Sequence, residues 1–544
     1  MSRRRHGLLG LGMLGAIQHT FDIVRERVGE EWTLATIPKE EQGVYDMLCR
    51  ADSIGVFQVE SRAQIGTLPR LRPRCFYDLV IEIALIRPGP IQGGAVHPYI
   101  RRKLGEEPIT YPHPLLEPVL ERTLGVPLFQ EQLMQIAMVV GDCTGDEADL
   151  LRRAMGSKRG VEKIDRLRDR LYRGMADKGI TGEVADDIYA RIEAFANFGF
   201  AESHAISFAL LVYASSWLKL HHPAAFLAGL LRAQPMGFYS PQSLVADARR
   251  HGVQVLRPSL RHSQVHADLE PLGETTGPTG DPACTAREQP PVAPFDPAAP
   301  PDHERHRRDG HHAVRLGLTS VKGIGVADAE RIVAARRERP FADMADVIRR
   351  CGLTRAQQEQ LATAGAFDDF GLSRRQAIWN AGHTDGADRL PGTAIVTPPP
   401  MLPGMSEVEV TLADLEATQI SPREHPFEHL RPMLDERGIL PVEGLARHEP
   451  GRRILVAGLI THRQRPYTAG GVTFLNLEDE TGMLNVVVFD AVWQRHRAVA
   501  RSSAAVVVRG RLEHQQGAVN LVAEVIEPLL DPAVPAGHRS RDFR

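Results

Sequence analysis

The stretch SVKGIGVADAERIV, Ser320–Val333, decides the fold of the central part of this chain. Gly323 and Gly325 flank Ile324, and a helical pattern begins directly after them. The pattern predicts a helix-hairpin-helix unit, because glycines permit close backbone approach and free N–H groups at a helix start bind phosphate. Lys322 adds positive charge, so this hairpin is predicted to hold a nucleic-acid backbone without contacting bases. The alternative is a packing corner between two helices with a glycine C-cap.

The regions on either side of this hairpin differ in their sequence periodicity. From Ser61 to about Leu231 the apolar residues follow helical spacing, which predicts a mostly helical region. From Arg453 to Ile526 there are five β-type runs with short turns, which predict a small closed barrel of the OB type. The predicted fold class is therefore a multidomain α+β protein with helical, hairpin and barrel parts.

Composition limits the classes of protein that remain. A length of 544 residues suggests three or four domains, and a formal net charge of −3 means that any nucleic-acid face is a local patch. Five scattered cysteines form no C-x-x-C pair, which argues against a zinc site or a disulfide framework and fits a cytoplasmic location. The opening MSRRRHGLLGLGML is too short to span a bilayer and lacks a cleavage site, so neither a membrane anchor nor a secretion signal is expected.

Two further motifs contain groups that could contact phosphate or catalyse a reaction. LLRRAMGSKR places Arg152, Arg153 and Lys158 on one helix and its C-terminal turn, which suits phosphate binding or, alternatively, a solvated basic helix end. Ser203 and His204 stand at the start of a long apolar helix, where an N-cap with a satisfied histidine is the simpler interpretation. No third member of a catalytic triad lies nearby in the sequence.

The barrel region adds an acidic turn and a set of side chains that could stack on bases. LEDETG, Leu477–Gly482, is predicted to be a solvated hairpin turn rather than a metal site. A single-stranded nucleic acid could use basic and aromatic side chains here, although the two phenylalanines could equally be core. The available residues are Arg463, Arg465, Tyr467, Phe474 and Phe489.

Put in order, several long motifs resemble those of the bacterial C-family DNA polymerases, the group of the DNA polymerase III alpha subunit. The motifs are GVFQVESR (55–62), ALIRPGPIQGG (84–94), FQEQLMQIA (129–137), LLRRAMGSK (150–158), FGFAESHAISFALLVYASSWLK (198–219) and LATAGAFDDFGLSRRQAIW (361–379). The hairpin precedes the last of them, and the barrel follows. The resemblance implies a fingers domain, a helix-hairpin-helix region and an OB-fold.

The stretch LEATQISPREHPFEHLR resembles the linker of the error-prone, damage-associated branch of that family. The resemblance implies template-directed, translesion DNA synthesis by the complete enzyme, with dNTPs as substrates and Mg²⁺ as cofactor. It also implies binding of primer-template duplex and single-stranded template. Mutagenesis accessory proteins and a separately encoded palm portion are the further partners implied.

In the family, a palm strand carrying the last catalytic aspartate runs into a segment like LLGLGML. Gly7 stands at the matching place here, and the other palm aspartates and the N-terminal phosphoesterase domain would lie upstream of Met1. The aspartates near the start, Asp22, Asp46 and Asp52, form no D-x-D pair on a strand. Since nucleotidyl transfer needs two metal ions held by carboxylates, we predict no catalytic residue, no metal ligand and no polymerisation by this chain alone. The alternatives are a non-catalytic DNA-binding protein and a relic.

Roles follow position by position from the resemblance. Contacts to the incoming nucleotide or primer-template are expected from Arg87, Arg152, Arg153, Lys158, Asn197, Ser203 and His204. Duplex contacts are expected from Lys322, Gly323 and Gly325. Glu202 stands where the family often has lysine, which puts phosphate contact at that corner in doubt.

The expected organisation is a palm-edge remnant (1–45), fingers (46–232), a hairpin region (233–382), a linker (383–450), an OB-fold (451–531) and a tail (532–544). Within the hairpin region, residues 262–312 are rich in proline, glycine and charge. They are therefore predicted to be a disordered insertion.

Overall fold

The computed structural model describes residues 3–86, 96–154, 167–194, 200–383, 402–465, 470–515, 518–531 and 540–543. The chain forms two compact units. One comprises residues 37–216 and 286–301, and the other comprises residues 1–36, 217–285 and 302–544. Among the helices of the described ranges, none is both long and apolar enough to cross a membrane.

The unit of residues 37–216 is helical, as its periodicity predicts. Its helices are Gln42–Cys49, Arg62–Leu71, Phe76–Leu85, Val96–Lys103, Glu117–Leu120, Gln130–Gly141, Gly145–Ala154, Arg168–Asp177, Glu183–Ala194 and the first part of Glu202–His221. One core gathers Leu133, Ile136, Leu171 and Ile188 from three of these helices. Residues 286–301 dock on this unit through Phe295, whose ring lies under the guanidinium groups of Arg50 and Arg74.

In the other unit, the first helix, Arg3–Ile23, continues into a π-helical turn, Val24–Val28, and packs on the helix Pro223–Arg232. The two helices cross closely at Gly229, where an added Cβ would lie 2.3 Å from Thr20 Oγ1 and 2.7 Å from the carbonyl oxygen of Ala16. Glycine is therefore required by the packing at this crossing. The helix Pro241–Arg250 follows.

The prediction of disorder over residues 262–312 is wrong. Strand β2, Asp268–Pro271, pairs antiparallel with β3, His312–Arg315, which also pairs with the short parallel strand β1, Val255–Leu256. The segment also contains the short helix His303–His306.

Two adjacent charged residues anchor this segment. The carboxylate of Asp309 is fully buried and accepts hydrogen bonds from the backbone N–H groups of Ala224 and Ala225, at 2.8 and 3.0 Å, so it caps the helix that begins at Pro223. Burial raises the pKa of Asp309, and the nearby Arg307 guanidinium opposes the rise. Arg308 donates to Glu30 at 2.7 Å. The prediction of disorder was based on the proline, glycine and charge content of the segment. Such content does not show which charged residues have buried partners elsewhere in the chain.

The hairpin module consists of the helices Val326–Glu338, Met344–Cys351, Arg355–Thr363 and Arg374–His383. They enclose a single core, to which Ile324 and Leu353 contribute from turns and Val347, Leu361 and Phe367 from the elements around them. Two further helices, Glu407–Thr418 and Pro426–Glu436, lead to the barrel.

The C-terminal strands close into a barrel, which confirms the predicted OB architecture. The strands are β4 (Ile439–Leu440), β5 (Arg453–Gln464), β6 (Thr473–Glu478), β7 (Met483–Val488), β8 (Ala505–Gln515), β9 (Ala518–Pro528) and β10 (Arg541–Phe543). The barrel order is β5-β6-β7-β9-β8, and β8 pairs back to β5. The helix Asp490–Ser502 lies between β7 and β8, and β10 pairs parallel with the end of β5.

The acidic turn between β6 and β7 is a turn, as predicted, but its carboxylates are not solvated. Asp479 is fully buried and accepts hydrogen bonds from the N–H groups of Thr481, Gly482 and Val442 at 2.8–2.9 Å. Glu478 is buried against the Ser243 hydroxyl, and burial raises its pKa to about 7. The acids hold the turn in place instead of facing water.

Candidate nucleic-acid interface

The first hairpin, Val321–Gly325, matches the predicted geometry. Val321 and Ile324 are buried, whereas Lys322 and the glycines on either side of Ile324 are exposed. Gly323 has φ +81°, a conformation that favours glycine, and no atom lies within 4 Å of where its Cβ would be. The turn is therefore anchored by its apolar side chains and presents its backbone outward.

The helix Val326–Glu338 begins at this hairpin without a side-chain cap. Gly325 is the N-cap and has no side chain to accept from the first turn. Its own N–H donates to the Asp328 carboxylate at 3.2 Å. A helix start of this kind offers N–H groups and the positive end of the helix dipole to an anion.

A second hairpin, Cys351–Thr354, repeats the first at an offset of 29 residues. Gly352 corresponds to Gly323 and has φ +58°, and buried Leu353 corresponds to Ile324. Thr354 takes the place of Gly325 as N-cap of the helix Arg355–Thr363. Sequence reasoning missed this hairpin because it lacks the lysine and the second glycine. The spacing of glycine, apolar residue and cap was the signal that could have revealed it.

Hydrogen bonds hold the two helix starts side by side. Gln357 Nε2 donates to Asp328 Oδ2 at 3.0 Å, and both residues occupy the third position of their helices. Arg331 bridges the hairpins, donating to Asp328 at 2.6 Å and to the carbonyl oxygen of Cys351 at 2.7 Å. The Arg331 hydrogen bond holds the pKa of Asp328 below its ordinary value. The N-termini of the two helices therefore lie next to each other, and Lys322 is exposed beside the first of them.

In the helical unit, the two predicted arginines lie at the end of the helix Gly145–Ala154. Arg152 and Arg153 are exposed, and both pair with Asp149, at 2.7 and 2.6 Å. The Arg152 hydrogen bond is the largest cause of the lowered pKa of Asp149. These pairs leave guanidinium N–H groups facing solvent, which is compatible with either of the two interpretations of this basic helix.

Ser203 and His204 are exposed in the first turn of Glu202–His221, where the imidazole lies 5.4 Å from the Phe200 ring and 4.1 Å from the Phe208 ring. Glu202, the residue at the family's lysine position, accepts a hydrogen bond from the Tyr77 hydroxyl at 2.6 Å. The predicted contacts Arg87, Lys158 and Asn197 lie outside the described residues.

On the barrel, Phe489 is half exposed and Phe474 is partly exposed, so neither is a fully buried core residue. Arg465 pairs with Asp490 at 2.7 Å and lies over the Trp493 ring. Arg463 is held by the carbonyl oxygen of Ala500 at 2.6 Å. Tyr467 lies outside the described residues.

The described residues include three groups of side chains whose donor atoms lie close enough to share a metal ion. Every described group of three side chains that could share a metal ion includes a histidine, whereas Mg²⁺ sites are built from carboxylates and other oxygen ligands. Asp22 pairs with Arg25 at 2.9 Å, and Asp46 pairs with Arg74 at 2.7 Å. Gly7 lies within the first helix, and its correspondence to the family aspartate stays a prediction. No step of nucleotidyl transfer is derived from metal ligands of this chain.

Three families of known domains match the chain in order. The bacterial DNA polymerase III alpha subunit finger domain matches residues 13–179, the helix-hairpin-helix motif matches residues 252–377, and the OB-fold nucleic acid binding domain matches residues 454–529. The chain therefore contains a polymerase-type finger domain followed by a helix-hairpin-helix motif and an OB-fold of the nucleic-acid-binding class.

Curated relatives narrow this class. Error-prone DNA polymerases of Cutibacterium acnes, Nocardia farcinica and Mycobacterium tuberculosis are 59%, 56% and 53% identical over 99% of this chain. The chain belongs to the error-prone branch of the DNA polymerase III alpha family. It spans about half the length of these relatives, covering 48%, 44% and 46% of them.

Among solved structures, asparaginyl-tRNA synthetase from Pyrococcus horikoshii aligns with a TM-score of 0.15 and 19% identity. The alignment covers 17% of this chain and 22% of that one, a likeness too slight to support an argument.

Proposed function

We propose that the chain is the DNA- and nucleotide-holding part of an error-prone DNA polymerase. The observation that carries this proposal is the helix start at Gly325, which has no side-chain cap and is held beside the second helix start at Thr354 through Asp328 and Gln357. Backbone N–H groups at helix starts bind phosphate oxygens without regard to sequence. A polymerase that must slide along any template needs this kind of contact.

Within the hairpin pair, Lys322 supplies the charge and Gly323 and Gly325 supply the close backbone approach to the duplex. Lys322 is exposed, and its backbone N–H is held by the carbonyl oxygen of Ala417 at 2.8 Å. The base of the side chain is thereby fixed while the ammonium group stays accessible to a phosphate. Lysine acts here as a point charge, so orientation of the bound strand falls to the backbone N–H groups.

Contacts to the incoming nucleotide or the primer-template are assigned to the helical unit. The proposed residues are Arg87, Arg152, Arg153, Lys158, Asn197, Ser203 and His204. Exposed guanidinium groups at Arg152 and Arg153 support this assignment, since a phosphate can replace Asp149 as their partner. Single-stranded template is assigned to the barrel, where half-exposed Phe489 offers a stacking face.

In the complete enzyme these parts serve translesion synthesis from dNTPs. We assign the magnesium ligands of the complete enzyme to its palm portion. Accessory proteins of the mutagenic pathway are the remaining proposed partners.

Fluorescence anisotropy on short duplexes of unrelated sequence tests the hairpin contact. The logarithm of the affinity should fall with the logarithm of salt concentration at about −0.9 per phosphate contacted. Lys322→Glu should weaken binding equally on every duplex and make that slope shallower by about 1. Lys39→Glu, the same charge change at an exposed lysine of the other unit, is the control and should leave the slope unchanged. A sequence-selective loss for Lys322→Glu contradicts a backbone contact.

Primer extension tests the proposal that this chain binds DNA while a palm portion supplies the magnesium ligands. The chain alone, with dNTPs and Mg²⁺, should bind primer-template without extending it, because we assign the magnesium ligands to the palm portion. Robust templated extension would contradict this assignment of ligands. The second candidate function is DNA binding without any catalytic partner, for which the exposed hairpin of Lys322, Gly323 and Gly325 would suffice. Addition of a palm portion distinguishes the two, since extension should appear only if the chain completes a polymerase.

A further inference from the structure

A cluster unrelated to the hairpins lies between the two helices that lead to the barrel. Glu407 begins the helix Glu407–Thr418, Glu424 lies in the connecting loop, and His429 is in the helix Pro426–Glu436. One donor atom from each of these three side chains lies within 4.8 Å of the others. We propose that Glu407, Glu424 and His429 bind a divalent transition-metal ion, with Zn²⁺ as the best fit.

The spacing of the donor atoms supports a metal ion. His429 Nε2 lies 3.2 Å from Glu424 Oε2. Ligands about 2.0–2.1 Å from a tetrahedral zinc ion are about 3.3 Å apart, so these two atoms already stand at ligand spacing. Glu407 is exposed at the first position of its helix, and its carboxylate can close the remaining distance by rotation. The third ligand therefore needs no change in the backbone.

Helix caps hold in place the two helices that carry the proposed ligands. Ser406 caps the first helix by accepting from the N–H of Glu409, and His425 caps the second by accepting from the N–H of Phe427. Both helix starts are thus held independently of the proposed ion. The His429 side chain is only 10% exposed, which limits its rotation.

A cavity of about 330 Å³ adjoins the cluster, and Glu407, Thr411 and Glu424 contribute to its lining. Four arginines also line it: Arg257, Arg374, Arg375 and Arg423. It has room for a water molecule at the fourth position of a tetrahedral ion. An imidazole with two carboxylates suits zinc and its first-row neighbours, whereas Mg²⁺ and Ca²⁺ favour oxygen-only sites. The ligand set therefore selects a transition metal.

The competing explanation is an ion pair between Glu424 and protonated His429. The Thr411 hydroxyl lies 2.9 Å from His429 Nε2, a hydrogen bond that the ion pair keeps and that a metal ion bound to Nε2 would replace. The two explanations differ in the effect of added metal, because only neutral imidazole binds a metal ion and binding then releases a proton. Metal titration thus separates them.

The test compares stoichiometry, since the chain has 22 histidines and other sites can bind weakly. The full chain, freed of metal with EDTA, is titrated with Zn²⁺ by calorimetry and with Co²⁺ by visible absorption. The wild-type chain should bind one equivalent more than His429→Gln and Glu424→Gln, and only this equivalent should give the tetrahedral Co²⁺ spectrum. His448→Gln, at a half-exposed histidine that contacts Arg452, is the control and should match the wild type.

Thermal unfolding provides a second measurement, in which the weak sites are common to the wild type and the variants and only the difference between them is interpreted. Zn²⁺ should raise the midpoint of the wild type and of His448→Gln more than that of Glu424→Gln, a partly exposed position at which we expect the substitution to be tolerated. Equal stoichiometry, equal spectra and equal midpoint shifts for the wild type and both ligand variants would overturn the proposal.

Discussion

The two hairpins of the module share a backbone but differ in what they offer to a ligand. In the first, Gly325 caps its helix without a side chain, and Lys322 is exposed beside it. In the second, the Thr354 hydroxyl accepts from the N–H of Gln357 at 3.3 Å, and Arg355 pairs with Glu359 at 2.9 Å. The comparison shows that the same backbone geometry can form a turn that binds a ligand or a turn whose polar groups are already hydrogen-bonded within the chain. The difference lies in which polar groups are already bonded.

The strongest test of the shared geometry is removal of the buried side chain from each turn. Ile324→Ala and Leu353→Ala should each lower the free energy of unfolding by about 2–5 kcal/mol, because both side chains are at least 95% buried in one core. Urea unfolding measures this loss. Val326→Ala, at a side chain that is half exposed, is the control and should change stability by less than about 0.5 kcal/mol. A large difference between the two turns would contradict the structural repeat.

The next test separates the hairpins by charge. Lys322→Glu should weaken duplex binding about tenfold, which is about 1.4 kcal/mol. Arg355→Glu should weaken it by no more than about threefold, because Glu359 already neutralises Arg355 and the cap of its helix is filled. Anisotropy at one salt concentration ranks the two variants. Equal losses would mean that both hairpins contact DNA, and the proposed difference would be wrong.

Sequence-based prediction succeeded where local residue types reveal exposed polar groups, and it failed where polar groups are bonded to partners elsewhere in the chain. The motif Val-Lys-Gly-Ile-Gly was recognised because its glycines indicate an exposed backbone and its lysine indicates an exposed charge. The turn Cys351–Thr354 was missed because its glycine and buried leucine are informative only when aligned on the first hairpin. The barrel was predicted well, since the five β-type runs of the sequence form the five strands β5 to β9 of one closed sheet.

The failures occurred where a charged residue finds a distant partner. Asp309 caps a helix 84–85 residues earlier in the chain. Asp479 accepts a hydrogen bond from the N–H of Val442 and pairs with Arg431 at 3.4 Å. Composition treats such carboxylates as solvated, because it contains no information about tertiary partners. The site residues of the helical unit stay predictions for a related reason: their role depends on a bound nucleotide and not on the chain alone.

The glycines with positive φ give a smaller but cleaner contrast. Gly323→Ala should cost about 1–2 kcal/mol of stability, and Gly352→Ala somewhat less, because φ +81° lies beyond the left-handed region open to other residues while φ +58° lies within it. Neither added methyl group meets an atom within 4 Å, so the cost comes from the backbone alone. Thermal midpoints of the two variants measure the difference. Equal costs would show that the turns relax to the same conformation.

The finest test exchanges the two caps, and it separates folding from binding. Gly325→Ser should stabilise the protein by a few tenths of a kcal/mol, since φ −79° and ψ 170° suit a serine N-cap and the new Cβ meets only Asp328 Oδ2 at 3.5 Å. The same hydroxyl accepts an N–H that a phosphate would use and blocks close approach, so duplex affinity should fall several-fold. Thr354→Gly is the reciprocal variant and should lose about the same small stability with unchanged affinity. A purely structural cap would change stability and affinity in the same direction. Higher stability with lower duplex affinity in Gly325→Ser therefore identifies the first hairpin as the binding turn. A Gly325→Ser variant with higher stability and higher affinity contradicts this conclusion.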